Sequence, residues 1–337
     1  MNLELDEDQR DLIAVTTEVC SAVGAHFRSV SSGKDRDEVI RKINEGLKAL
    51  AEVGILGIRH PEPHGSGLGP VEAVLVAKTC GAALIPMPLL LWADLVGPNV
   101  PGVLEGAVSI TGSFERTRGY SFGGHTDVVV AVDDTGAAYA FESSAVAWNP
   151  IPQVDPATPR ARLVGDIPSD SQAIASPDTV REWRGYAALI AAAHLVGVGG
   201  AAVATSTAYT RERHQFGVAI GSFQAIKHLL ADAYTAVELA YSQLLIAALC
   251  RSEGNESGTD QTAAAGIVSA RAAIAAAETA IQVHGGMGFT AEALPHLYYK
   301  RSLLLAAELQ TVSVRPRELL HRSLAVHGPS PDTRPAS

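Results

Sequence analysis

The chain is short of cysteine, of aromatics and of charge, and each shortage rules something out. Its three cysteines, Cys20, Cys80 and Cys250, are odd in number and widely spaced. That pattern gives neither a disulfide framework nor a zinc spacing, and it suits a reducing compartment. Basic residues are fewer than acidic ones, 26 against 36, and the net charge is −10. The Lys and Arg residues are also dispersed, so a phosphate-tracking face for nucleic acid is not expected. His214, His228, His284 and His296 form no pair at i, i+4, so no metal site is expected. Each is read as a surface or interface residue. The N-terminus has no basic stretch followed by an apolar run, which excludes a signal peptide there and points to the cytoplasm.

One long absence needs a membrane test. From Gly185 to Thr210 there is no Asp, Glu, Lys or Arg. About 20 apolar residues suffice to span a bilayer. This stretch is mostly Ala, Gly, Ser and Thr with His194 inside, and bilayer insertion depends on the large apolar residues. A buried helix is expected, and no membrane association. Within it, GVGGAA (197–202) has the GxGxxA spacing of a dinucleotide fingerprint. That fingerprint requires a preceding strand, and here the preceding residues read as Ala-rich helix.

What is present is apolar: 47% hydrophobic residues against 18% charged. Such a composition suits either a chain with much subunit interface or a very Ala-rich helical bundle. Periodicity divides the chain into three parts. Residues 1–105 read as an N-terminal helical domain. Asp6 caps a helix from Glu7 to about Phe27. A second helix covers Val39 to Val53, with Ile40, Ile43, Leu47 and Leu50 at spacings of three and four. The Gly/Pro-rich HPEPHGSGLGP (60–70) is a loop, either a connector or an edge of a ligand pocket. Pro70 starts a third helix that ends near Gly81, and Pro86 and Pro88 lead into a fourth.

Residues 106–175 change period and form a reduced β-domain. VSITGSF, DVVVAVD and AAYAFES predict strands of a small antiparallel sheet. NPIPQVDPATPRARL is expected as a linker. Residues 176–326 return to helix as a C-terminal four-helix bundle, with SEGNESGTD (252–260) as an exposed hinge between two antiparallel helices. Phe223, Ile226, Leu230, Val237, Tyr241 and Leu244 share one face there. Residues 327–337 are expected to be a disordered tail.

Two motifs in the helical half carry chemistry. Arg211-Glu212-Arg213-His214-Gln215-Phe216-Gly217 offers arginine and an aromatic at the end of a long apolar helix. The guanidinium of Arg213 can grip the oxygens of a pyrophosphate bidentately, as a lysine cannot. The same residues would also serve as a basic helix end with a glycine cap. Gln282-Val283-His284-Gly285-Gly286-Met287-Gly288 offers an amide and a backbone bare enough for a ligand to lie against. It would equally serve as a Gly-rich helix stop. Together, provided they meet across a subunit interface, they suit a flavin pyrophosphate. Lys300-Arg301 follows the second motif as a basic pair expected to face solvent.

These motifs, with LDEDQRDLI and LAEVGILGIRHPEPHGSGLGPVEAVLVAKTCG near the start, resemble the acyl-CoA dehydrogenase family over most of the chain. The resemblance implies a mainly α fold with a small central β-domain, FAD as cofactor and an acyl-CoA substrate, sterol-derived by the same likeness. It implies flavin contacts from Arg213, Gln215, Phe216, Gln282, Gly285 and Gly286, with Gln224 near a dimer interface. The flavin would lie mainly in the neighbouring subunit.

The chain also departs from the family. The segment that covers the flavin ring is not found in VSITGSFERTRGYSFGGHTD. The two glutamate positions used as catalytic base fall on Leu309 and Ala187, leaving Glu308 as a weak candidate one residue away. Removing an α-proton needs a placed base, worth roughly 10²–10⁴-fold. The resemblance therefore points to the shorter subunit of an actinobacterial α2β2 acyl-CoA dehydrogenase, with a second, longer subunit that holds the base. A self-sufficient homo-oligomer with a relocated base and a non-catalytic helical scaffold remain as alternatives.

Overall fold

The computed structural model describes residues 4–29, 36–115, 119–313 and 319. The expected tail (327–337) lies outside the described residues. Four helices come first: α1 (Glu7–Ser29), α2 (Arg36–Glu52), α3 (Pro70–Ala82) and α4 (Met87–Val96). Asp6 caps α1 as expected. Its Oδ1 accepts from the Gln9 amide at 2.8 Å, and the Gln9 side chain accepts from the Asp6 amide at 3.3 Å. This reciprocal pair satisfies two orphan donors at the helix start. Pro70 opens α3, where the Gly69 amide donates to Glu72 at 3.0 Å.

Seven strands follow, and they differ from expectation in two ways. β1 (Ile110–Ser113), β3 (Val128–Val132), β4 (Ala138–Glu142) and β7 (Gln172–Ala175) form one sheet in the order β1-β3-β4-β7. β1 and β3 run parallel, so this sheet is mixed, whereas an antiparallel one was expected. The expected linker overlaps β5 (Ala147–Ile151) and β6 (Arg160–Val164), which pair with each other. β2 (Tyr120–Ser121) completes this second sheet in the order β2-β6-β5. Pro150 lies within β5. A proline is tolerated on an edge strand because no ladder hydrogen bond is then lost, and β5 is at the edge.

The C-terminal part is four helices: α5 (Pro177–Glu212), α6 (Gln224–Ser252), α7 (Gly258–His284) and α8 (Pro295–Val312). Ser176 caps α5 by accepting from the Thr179 amide, with Pro177 in the first turn. α5 is the central rod, in contact with α3, α6, α7 and α8. Among the described residues, three helices are long and apolar enough to cross a membrane by composition; the apolar window of α5 is 83% buried within this fold. The glycines of GVGGAA serve packing. A Cβ on Gly197 would collide with the Lys78 carbonyl of α3, and one on Gly199 would meet Val237 and Ala273 at 3.1 and 3.2 Å. A Cβ on Gly81 would likewise collide with the His194 carbonyl. Small residues thus set how near α3 and α5 approach.

Two sequence expectations are corrected by packing, and one contact is added. Arg301 does not face solvent. Its Nε lies 2.6 Å from Asp155 Oδ2, with side chains 4% and 2% exposed, and its Nη1 donates to the Leu84 and Ile85 carbonyls. It ties α8 to the loop before β6 and to the α3–α4 turn. His284 is buried rather than superficial. Cys20 and Cys80, far apart in sequence, have their Sγ atoms 3.6 Å apart as free thiols.

Candidate flavin-contact end and a buried cavity

α5 runs to Glu212, and the chain then reverses through a short hairpin. Its strands are β8 (His214–Gln215) and β9 (Val218–Ala219). Phe216 and Gly217 form the two-residue turn, with φ of +53° and +84°. Positive φ at both positions is what a type I′ hairpin turn demands. A non-glycine residue pays about 1–2 kcal/mol for that conformation. The strained Phe216 ring is 92% exposed and touches Phe223 edge-on, with centroids 6.2 Å apart. Strain held by a ring that adds little to this chain's own core is a mark of function.

The second motif lies at the same end of the bundle. α7 stops where Gly285 turns to φ +60°, and residues 285–289 form a 3-10 turn. A Cβ at Gly285 or Gly286 would meet nothing within 4 Å, so the backbone there is open to an incoming group. His284 stacks on Tyr209 with ring centroids 4.1 Å apart. The Tyr209 carbonyl in turn accepts from the Arg213 amide at 2.9 Å. This stack joins the ends of α5 and α7, so the two motifs adjoin within one chain. Arg213, Gln215, Gln224, Gln282, Gly285 and Gly286 are all exposed. The donor set suits a pyrophosphate: a guanidinium, three amide side chains and bare backbone.

A separate cavity of about 350 Å³ lies between α4, α5, α8 and the strands. Met87, Leu91, Trp92, Phe114 and Val312 make its walls apolar, and Ser121, Arg160 and Glu308 line it with polar groups. Gly112 on β1 is required here, because a Cβ would strike the Trp92 indole at 2.6 Å. Ala187 also lines this space, so the two regions expected to bear a base converge on it; one offers a methyl group, the other Glu308. Glu308 Oε1 accepts from the Ser121 hydroxyl at 3.0 Å, while Oε2 is buried without a hydrogen-bond partner. Burial pushes the Glu308 carboxyl above its usual value, with Arg160 and the Ser121 hydrogen bond pulling it back. The 60–70 loop does not line the cavity. It packs on α4 instead, where Arg59 Nε sits 2.7 Å from Asp94 and His60 bonds the Asp94 carbonyl.

Sequence reasoning missed Arg160 and Ser121. A usable signal was the alternation in RARLV, where Ala161 and Leu163 are buried and their neighbours are not. For Ser121, nothing in the sequence pointed across the chain to Glu308.

Residues 185–307 match the model of the acyl-CoA dehydrogenase C-terminal domain. The chain is 30% identical over 281 residues to the acyl-CoA dehydrogenase IpdE2 of Mycobacterium tuberculosis, covering 80% of this chain and 82% of that protein. It therefore belongs to the acyl-CoA dehydrogenase family. Among solved structures, a Tcur3481-Tcur3483 steroid ACAD variant superposes with a TM-score of 0.79 at 20% identity, over 95% of this chain and 99% of the other. The ChsE4-ChsE5 complex from Mycobacterium tuberculosis gives 0.78 at 23%, over 98% and 100%. At those identities the two structures speak for the fold.

Proposed function

We propose that this chain is one subunit of an FAD-dependent enzyme that desaturates an acyl-CoA thioester, working in the cytoplasm beside a second, longer subunit. The exposed end of the bundle lends nucleotide contacts to a flavin held mainly by that partner, which also holds the base. FAD, when bound, accepts the hydride. Arg213 binds pyrophosphate oxygens, Gln215, Gln224 and Gln282 orient the nucleotide, and the backbone at Gly285 and Gly286 admits it. Phe216 packs against the nucleotide and excludes water.

The observation that carries this reading is the solvent-facing placement of both motifs side by side, with the strained Phe216 ring bare on this chain. Both solved neighbours pair two proteins, Tcur3481 with Tcur3483 and ChsE4 with ChsE5, and the first is a steroid ACAD; this supports a heteromeric partner and a sterol-derived thioester. The three-part division at about 105 and 175 belongs to the same proposal. The test is purification of the chain alone and again with its partner. Alone, it should bind little flavin and turn over no acyl-CoA; with the partner it should be yellow and active. A yellow, active single chain would refute the proposal. It would instead favour a self-sufficient enzyme, a reading for which the place of Glu308 in the cavity is the specific support.

A further inference from the structure

Cys20 and Cys80 take no part in the flavin motifs and do not line the cavity around Glu308. They sit within the seam between α1 and α3, 1% and 0% exposed, with Sγ atoms 3.6 Å apart. Contacts on both sides of the pair fix the register of that seam. Before it, the Gln9 side-chain amide donates to Glu72 at 2.9 Å. After it, the Arg28 guanidinium donates to the Ala83 carbonyl at 3.2 Å. Gly24 lets the two helices close there, since a Cβ on it would strike the same carbonyl at 2.6 Å. The two sulfurs are thus held in contact, and about 1.5 Å of movement separates them from a disulfide. We propose that this pair is a modification site, where hydrogen peroxide oxidises the two thiols to an internal disulfide that fastens α1 to α3.

The surroundings of the two sulfurs set the order of reaction. Cys20 lines a groove of about 470 Å³ between α1, α3 and α5, beside Thr17, Ser21 and Lys78, and Cys80 does not. The hydrogen bond with Cys20, and then burial, push the Cys80 thiol well above its ordinary value, so it holds its proton. Cys20 therefore reacts first. Its sulfur attacks the O–O bond of the peroxide and takes one oxygen as a sulfenic acid; the other oxygen leaves as water with the Cys20 proton. Cys80 Sγ then attacks the Cys20 sulfur, the S–O bond breaks, and a second water leaves with the Cys80 proton. Two thiols give two electrons to one peroxide, and no further reactant is needed. The bond closes residues 20–80 into a loop, which restricts the unfolded chain and favours the folded one. Cys250 supplies the contrast: its bonded neighbour is the Ser257 hydroxyl at 3.7 Å rather than a thiol.

This site goes beyond the flavin reading and does not rest on it, so either can fail alone. The full chain is treated with hydrogen peroxide, quenched with catalase, alkylated in denaturant, and read by intact mass and peptide mapping. Free thiols should fall from three per chain to one, Cys250, with a single cross-linked peptide pair joining Cys20 to Cys80. Dithiothreitol should restore all three. Cys80→Ser should stop at the Cys20 sulfenic acid, trapped as its dimedone adduct, and Cys20→Ser should leave Cys80 reduced. The oxidised chain should unfold at a higher denaturant midpoint than the reduced one. Three thiols retained, a bridge that includes Cys250 or joins two chains, or a sulfinic acid on Cys20 beside a reduced Cys80 would each overturn the site. An unchanged or lower midpoint would overturn the fastening of α1. Should either serine variant fail to fold, the thiol count and peptide map of the unaltered chain decide alone.

Discussion

The middle of α5 and the tip where it ends belong to one helix and obey opposite rules. In the middle, Ala187 to Val198 is buried on every side, and glycines let α3 press against it. At the tip, Arg213 and Phe216 face solvent, and Gly217, like Gly285 and Gly286 beside it, opens space instead of closing it. The same residue type serves contact in one place and access in the other. Glycine alone therefore says little; what surrounds its missing Cβ decides its role.

Substitutions can test that contrast. The largest effect is expected at the tip, on the cofactor. Arg213→Ala should strip most flavin from the assembled complex, read as lost absorbance near the flavin band after gel filtration. Its melting temperature without flavin should hardly move, because surface changes stay within about 0.5 kcal/mol. A complex that keeps its flavin would remove Arg213 from the site.

In the interior the loss should appear as stability. Arg301→Met leaves Asp155 buried without its cation and should cost about 3–5 kcal/mol in denaturant unfolding. Next comes Gly197→Ala, whose Cβ collides with the Lys78 carbonyl. Overpacking of this sort costs about 1–3 kcal/mol. If Gly197→Ala were neutral, α3 and α5 would not be as tightly pressed as described.

A smaller interior effect depends on pH. Burial holds the His194 pKa down at about 3, against an ordinary 6.5. The unfolded chain takes up a proton near the ordinary value, while the folded chain resists it. His194 therefore contributes its full stability above pH 6.5, and that contribution is lost as pH falls from 6.5 towards 3. His194→Gln should flatten the slope of melting temperature against pH across that window. Phe216→Gly acts in the opposite sense, because it relieves strain at the hairpin turn. It should raise stability by at most about 1–2 kcal/mol, read as a slightly higher melting temperature, while weakening flavin retention in the complex.

Helix positions were legible because their signals are local. The Asp6–Gln9 cap, Pro70 and the period of α2 need only neighbours within a turn. The edge strand β5 was not legible, because whether a proline is tolerated depends on which side of the strand has a partner. The flavin motifs were legible as residue types. That they adjoin in one chain was not, since it rests on Tyr209 meeting His284 across two helices.

By itself, the sequence determined the helical character, the family and the chemistry available at residues 211–217 and 282–288. Those follow from composition, short-range periodicity and contiguous motifs. Only the tertiary structure decided that Arg301 is an internal staple, that Glu308 meets Ser121 across nearly two hundred residues of chain, and that both motifs share one open end. Burial and pairing depend on residues distant in sequence, and the free energy of a charge is set by what it touches after folding.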